Sequence, residues 1–128
     1  MKHAFGNFAQ QKWCLPGGFV EFDEDFLTAA IREVREETSL EAEIQSILSI
    51  VSNFLSPRLH TLVVVLLAQV VRGKLAPGDD VVELAWFPLQ GPLPDMAFEA
   101  DRHIIERYGK TRLEGAPVDP VYARSRRD

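Results

Sequence analysis

The sequence predicts a single domain in which strands and helices are mixed, the α/β (α+β) class, and three observations carry that expectation. At 128 residues, 46% of them apolar, the chain can fill one modest core and not two. Two stretches, 25–39 and 98–108, carry apolar residues at helical spacing. Between them lie an apolar, β-branched run, Thr61 to Val71, and a shorter alternating one, Val82 to Phe87. With no internal repeat or low-complexity block, these segments read as successive parts of one fold.

Leu15-Pro16-Gly17-Gly18 is a loop signal whose two glycines let backbone approach a ligand closely. A helix follows, with Asp25 as its N-cap and Leu27, Ile31, Val34 and Thr38 forming one semi-apolar stripe from first turn to last. Glu43 to Leu55 reads as a strand in its first half, where Ile44, Ile47, Ile50 and Val51 are too irregular to give a period. Thr61 to Val71, built around Val63-Val64-Val65 and bounded by Pro57 and Gly73, fits a buried central strand. Pro77-Gly78-Asp79-Asp80 marks turns, and Val82 to Phe87 sets Leu84 and Trp86 against Glu83 and Ala85 before stopping at Pro88. Beyond the extended Gly91-Pro92-Leu93-Pro94, Phe98 to Tyr108 forms a second helix burying Phe98, Ile104, Ile105 and Tyr108. The domain therefore occupies 1–114. The stretch from Gly115, with Pro117, Pro120, Arg124, Arg126 and Arg127, has little to bury and is expected to be a flexible tail.

A formal charge of −5 and a pI near 5.2 give no basic footprint for a nucleic-acid backbone, so nucleic acid is not an expected partner. Cys14 is the one cysteine, which excludes an internal disulfide and argues against a cysteine-based zinc site; a reducing cytoplasm is the expected compartment. Met1-Lys2-His3 leads into no apolar signal-peptide run. The longest apolar stretch, Leu62 to Ala68, falls far below the ~20 residues that span a bilayer, so no membrane partner is expected.

The chemistry concentrates on the first helix. Glu33, Glu36 and Glu37 are related by i,i+3 and i,i+4 steps and share one face, while Leu27, Ile31 and Val34 fall roughly 125° away by 3.6-residue arithmetic. The apolar stripe can dock on a sheet and leave the carboxylates open. Like charges so placed repel, and a hard divalent cation such as Mg²⁺, which takes oxygen ligands and keeps several waters, would offset that repulsion. A solvated acidic face neutralised by Arg32 and Arg35 explains the same spacing equally well.

Residues ahead of the helix separate the two readings. Gly18, Glu24 and the run Arg32-Glu33-Val34-Arg35-Glu36-Glu37-Thr38-Ser39-Leu40 resemble the Nudix box, G-x5-E-x7-R-E-U-x-E-E-x-G-U with U a bulky apolar residue, at eight of its nine specified positions. By ordinary residue frequencies the matched Gly, Arg and four Glu would coincide with a probability below about 10⁻⁷ per start position. The mismatch is Ser39, where the family has a glycine at a position that often wants a left-handed backbone. A stability cost rather than loss of a metal ligand is therefore expected. Asp23 also stands where many relatives carry a second glycine. The resemblance extends through Trp13-Cys14-Leu15-Pro16-Gly17-Gly18-Phe19-Val20-Glu21 and Glu83-Leu84-Ala85-Trp86-Phe87-Pro88.

The resemblance implies a Nudix fold, an α/β/α sandwich around a mixed sheet, and a pyrophosphohydrolase that cleaves a nucleoside diphosphate linked to another moiety. It implies that Glu33, Glu36 and Glu37 hold Mg²⁺ or Mn²⁺ with help from the carbonyl of Gly18 or Gly17. Arg32 would orient a glutamate, and Glu24 would support the helix start. The general base is open between Glu36 and Glu83, with Glu21 and Asp80 as weaker candidates, and an alternating strand explains Glu83 without any chemistry. His60 and His103 lack partners at metal-ligand spacing, Trp86 and Phe87 read as core and strand residues, and burial suffices for Cys14. A proline about 15 residues past the box accompanies ADP-ribose cleavage among relatives; Pro57 stands 17 past Leu40. Relatives also have some 30 or more residues before the box, against 17 before Gly18 here. That shortfall implies that part of the usual N-terminal strands is missing or is supplied by another chain, and a homodimer is expected. The competing function class is a Nudix-fold nucleotide sensor without turnover, or an inactive fragment; the four intact box glutamates favour the enzyme.

Overall fold

The computed structural model describes residues 2–8 as backbone, and residues 12–78, 81–119 and 121 in full. Its elements run β1 (Lys2–Phe8), β2 (Lys12–Cys14), α1 (Phe26–Thr38), β3 (Glu41–Ser56), β4 (Leu59–Arg72), β5 (Leu84–Pro88) and α2 (Glu99–Thr111). One sheet has the order β2-β1-β5 and the other pairs β3 with β4. All of these ladders are antiparallel. The parallel component of the expected mixed sheet is a single bridge among the described residues, Trp13 to Met96. It is fastened by the Trp13 amide donating to the Asp95 carbonyl at 2.9 Å and the Ala97 amide to the Trp13 carbonyl at 2.7 Å. The short stretch ahead of the diglycine supplies both β1 and β2, with β1 as the middle strand of its sheet.

The core is assembled where α2 meets the strands. Ile105 and Tyr108 pack with Leu89 and Met96, ringed by Trp13, Leu15, Leu48, Leu67, Phe87 and Leu93. Trp13 and Phe87 meet edge to face at 5.2 Å, a geometry the ring quadrupoles favour. Both helices rest on β3. Gly109 of α2 lies against the Leu89 carbonyl, where an added Cβ would come within 3.2 Å.

Local chemistry sets the ends of α1. Asp25 sits in an extended conformation, and its carboxylate accepts from the Thr28 amide and hydroxyl, each at 2.9 Å, which satisfies one orphan donor of the first turn. At the other end Ser39 adopts the left-handed backbone, φ 65° and ψ 14°, anticipated for the box glycine. Thr38 is fully buried; its hydroxyl donates to the Val34 carbonyl at 2.6 Å and accepts from the Leu40 amide at 3.2 Å.

Phe98, expected as a buried residue of the second helix, is its exposed N-cap, and two strand expectations also require correction. The strand expected in the first half of 43–55 runs the full length of β3, and the register shifts at four points along its pairing with β4. Those irregularities broke the alternation that a regular strand would have shown. The run at 61–71 is not a buried central strand: β4 pairs with β3 alone among the described residues, and Val65 is its one buried side chain. Apolar residues on both faces encode a desire for cover without specifying what covers them. At the start of the segment expected as a flexible tail, the Ala116 and Ile47 amides and carbonyls exchange bonds of 2.9 and 2.8 Å. Arg124, Arg126 and Arg127 lie outside the described residues.

Replacing Thr38 by Val keeps the shape and removes both hydroxyl bonds at a fully buried position. Urea denaturation of Thr38→Val is expected to show a loss of about 1–3 kcal/mol, the cost of depriving buried polar groups of their partner.

Candidate active site

The helix start and the diglycine loop meet around one face of α1. The Gly17 amide donates to Glu37 Oε1 at 2.7 Å. Gly18 lies against Glu33: a Cβ there would come 2.6 Å from each carboxylate oxygen, so a side chain at this position would push the Glu33 carboxylate aside. Glu36 points outward, its side chain 57% exposed against 18% for Glu33. The box glutamates thus line a graded face, from a carboxylate under the loop to one open to solvent.

Arg32 organises this face. Its Nε and Nη2 grip the two oxygens of Glu24 at 2.6 and 2.9 Å, the bidentate geometry a guanidinium favours. Nη1 donates to Glu33 Oε1 at 2.8 Å and to Glu36 Oε2 at 3.2 Å, and Nη2 also reaches the Phe19 carbonyl at 3.3 Å. Arg32 thus contacts three glutamates, Glu24, Glu33 and Glu36. Glu24, expected as a support near the helix start, fills that position: it accepts from the Glu21 amide at 3.1 Å as well as from Arg32. The Arg32 hydrogen bond, then that amide, hold the Glu24 carboxyl below its usual range. Arg35 faces away and pairs with Glu41 at the start of β3, leaving the acidic face to Arg32.

Glu37 is the electrostatically stressed member. Burial first, then the charges of Glu33 and Glu36, push its carboxyl up to about 7, against the opposing pull of the Gly17 amide. Among the described residues no three His, Cys, Asp or Glu side chains already converge as a metal cage. The donor set nonetheless fits a hard cation. Arg32 occupies one oxygen of Glu33 and one of Glu36, and Gly17 one of Glu37, so the second oxygen of each accepts no hydrogen bond from the described residues. Mg²⁺ characteristically uses one or two carboxylates with water and substrate phosphate rather than an all-protein cage.

The remaining candidates are dispersed. Glu83 precedes β5 rather than lying on it, because the β1–β5 ladder ends with the Gly6–Leu84 pair; its side chain is exposed. Asp80 lies outside the described residues. Glu21 is exposed and stands 3.8 Å from Arg32 Nη2. His60 packs edge to face on Phe54 at 4.3 Å, and His103 is exposed on α2. Pro57 occupies the exposed turn between β3 and β4. Cys14 is buried, and burial, then Asp101, then Glu37 push its thiol up to about 12, which makes it a poor nucleophile.

Asp101 was missed by the sequence reading. Partial burial raises its carboxyl and the Leu15 amide opposes that shift, which places a second half-buried acid beside the loop that holds Glu37. The signal was available: Asp101, Ile104, Ile105 and Tyr108 follow the i, i+3, i+4, i+7 spacing of a buried helix face.

The match to the NUDIX domain model covers residues 1–108. The chain belongs to the Nudix family. An ADP-ribose pyrophosphatase of Methanocaldococcus jannaschii is 39% identical over 97 residues, covering 75% of this chain and 56% of that protein. An NAD-capped RNA hydrolase, NudC, of Pseudomonas aeruginosa is 39% identical over 108 residues, covering 81% of this Nudix chain and 36% of the relative. The chain thus spans little more than half of the first relative and about a third of the second. Among solved structures, a NUDIX hydrolase from Nitrosomonas europaea superposes with a TM-score of 0.71 at 26% identity, over 91% of this chain and 67% of that one. A UDP-X diphosphatase shares the fold at a TM-score of 0.74 and 18% identity, over 92% of this chain and 61% of its own.

The stress on Glu37 gives the metal-free Nudix domain a defined pH response. Below about 4.5 this carboxyl is neutral in folded and unfolded chains alike; between there and about 7 the unfolded chain releases a proton that the folded chain keeps. Stability therefore falls as pH rises through this window, with Asp101 contributing in the same direction. Thermal melts in EDTA from pH 4 to 8 are expected to show a flatter decline for Glu37→Gln than for the unaltered chain; parallel curves would contradict the assignment.

Proposed function

We propose that the chain is a Mg²⁺- or Mn²⁺-dependent pyrophosphohydrolase that cleaves a nucleoside diphosphate linked to another moiety, with ADP-ribose or a related nucleotide sugar as substrate. The observation that carries this reading is the set of three carboxylates on one helix face, each with one oxygen unclaimed, beside backbone brought close by Gly17 and Gly18. The four box glutamates are intact, and the relative from Methanocaldococcus jannaschii is named for ADP-ribose. Pro57 adds support from sequence alone. The net acidity of the chain favours a small anionic substrate escorted by cations over a nucleic acid.

Glu33, Glu36 and Glu37 would hold the cation, with Gly18 contributing backbone. Once bound, it supplies charge neutralisation on the diphosphate and acidification of water. The chain's own residues do the rest. Arg32 holds Glu33 and Glu36 at fixed distances, so the carboxylates need little reorganisation when substrate arrives. Glu36, the exposed member of the face, takes the proton from the attacking water. Glu83 is the alternative base, on a segment that leaves α1 through Gly78.

Release of AMP and a sugar phosphate from ADP-ribose in Mg²⁺ or Mn²⁺, abolished by EDTA, is the expected outcome. NADH, diadenosine polyphosphates, (d)NTPs and NAD-capped RNA serve as comparison substrates. Metal-independent silence toward all of them would favour the nucleotide sensor. Glu36→Gln should lower kcat by about a hundredfold or more, the range for loss of a general base, with Glu83→Gln changing it less than about tenfold. The reverse order would transfer the role to Glu83.

A homodimer is part of the same proposal. The β3–β4 hairpin exposes Ile50, Phe54, Leu55, Leu59 and Leu62, and the outer edge of β4 is unpaired among the described residues. Light scattering at micromolar concentration should return twice the chain mass; the single-chain mass would remove this part.

A further inference from the structure

The last turn of α1 ends in a connection whose contacts the catalytic reading does not use. A helix leaves its final carbonyls without partners in its own ladder, and their bonds must come from elsewhere. Here the Arg35 carbonyl receives the Ser39 amide at 2.9 Å, while two others are claimed by the segment after β4. The Ala76 amide donates to the Thr38 carbonyl at 2.9 Å and the Gly78 amide to the Glu37 carbonyl at 3.0 Å. The Ser39 hydroxyl returns a bond to the Ala76 carbonyl at 3.0 Å.

Two glycines allow this approach. Gly73, at φ 102°, lies so close to the helix end that a Cβ would stand 2.7 Å from the Ser39 carbonyl oxygen. Gly78 lies still closer, and a Cβ there would overlap the Glu36 carbonyl oxygen. Gly73 meets the backbone of Ser39 and Leu40, and Gly78 that of Glu36 and Glu37, two of the three residues assigned to the cation.

We propose that the Gly73–Gly78 connection is a brace that sets the position of the Glu36–Glu37 turn, with Ser39 and Gly78 as its positioning residues. Ser39 departs from the family glycine, and its hydroxyl is what the departure adds: a left-handed backbone is retained and a tether to Ala76 is gained. The connection fixes the backbone of this turn, while its carboxylates are held separately, Glu36 by Arg32 and Glu37 by the Gly17 amide.

This inference rests on the metal-binding reading, and the test separates the two. Mn²⁺ titration by calorimetry, without substrate, is compared with thermal melts for the unaltered chain, Ser39→Gly and Gly78→Ala. Ser39→Gly relieves the left-handed strain and should melt no lower, yet bind Mn²⁺ roughly threefold more weakly, as loss of one hydrogen bond predicts. A purely structural serine would not weaken binding in a protein of equal or greater stability. Gly78→Ala should weaken binding by about tenfold, the lower range for loss of a partner that orients ligands. Unchanged affinity in Ser39→Gly would overturn the tether, and unchanged affinity in a folded Gly78→Ala would overturn the brace. If the unaltered chain binds no Mn²⁺, the metal reading fails by itself. Amide exchange in the metal-free chain then decides the brace: slowed exchange at Ala76 and Gly78 supports it, and unprotected exchange at both overturns it.

Discussion

One guanidinium holds the acidic helix together. Without Arg32, a helix with glutamates at 33, 36 and 37, and another at 24 ahead of it, would face uncompensated repulsion around a partly water-excluded loop. Arg32 donates to three of those four carboxylates and to a loop carbonyl. Glu37, the one it does not reach, is held by a backbone amide instead and carries the raised carboxyl. The division is physically coherent. Charge-assisted bonds hold Glu24, Glu33 and Glu36, while burial leaves Glu37 with an unfavourable charge that a cation would offset.

The order of elements follows from the same need. Asp25 starts α1 immediately after the loop, so Arg32, Glu33, Glu36 and Glu37 fall on its second and later turns at fixed azimuths. The left-handed Ser39 turns the chain directly into β3, and Arg35 pairs with Glu41 across that corner. β4 then returns antiparallel to β3, which brings its C-terminal end beside the end of α1. Topology delivers the connection at 73–78 to the helix end, and glycine at both ends of it permits the contact.

The legible features were those written in side-chain identity. The box, the Asp25 cap and the left-handed site at residue 39 could be read because each requires a particular residue type at a particular position. The length of β3 was not, since its register shifts erase a two-residue period. The exposure of β4 was not, because an apolar run does not name its neighbour. The amide bonds from residues 76 and 78 to α1 run between backbone groups, so the sequence marks this connection only through Gly73, Gly78 and the Ser39 hydroxyl. Asp101 was hidden differently: an acid on a helix reads as solvated unless its spacing from Ile104 and Ile105 is weighed above its charge.

The burial of Cys14 has a practical side. The sequence contains no other cysteine, and this thiol, shielded and far above its ordinary pKa at about 12, resists alkylation in the folded state. A cysteine introduced at an exposed position of the hairpin or of α2 would therefore be the one group to take up a maleimide or spin label. Cys14 need not be removed first, so the natural packing under the diglycine loop can be left intact while a reporter watches the surface.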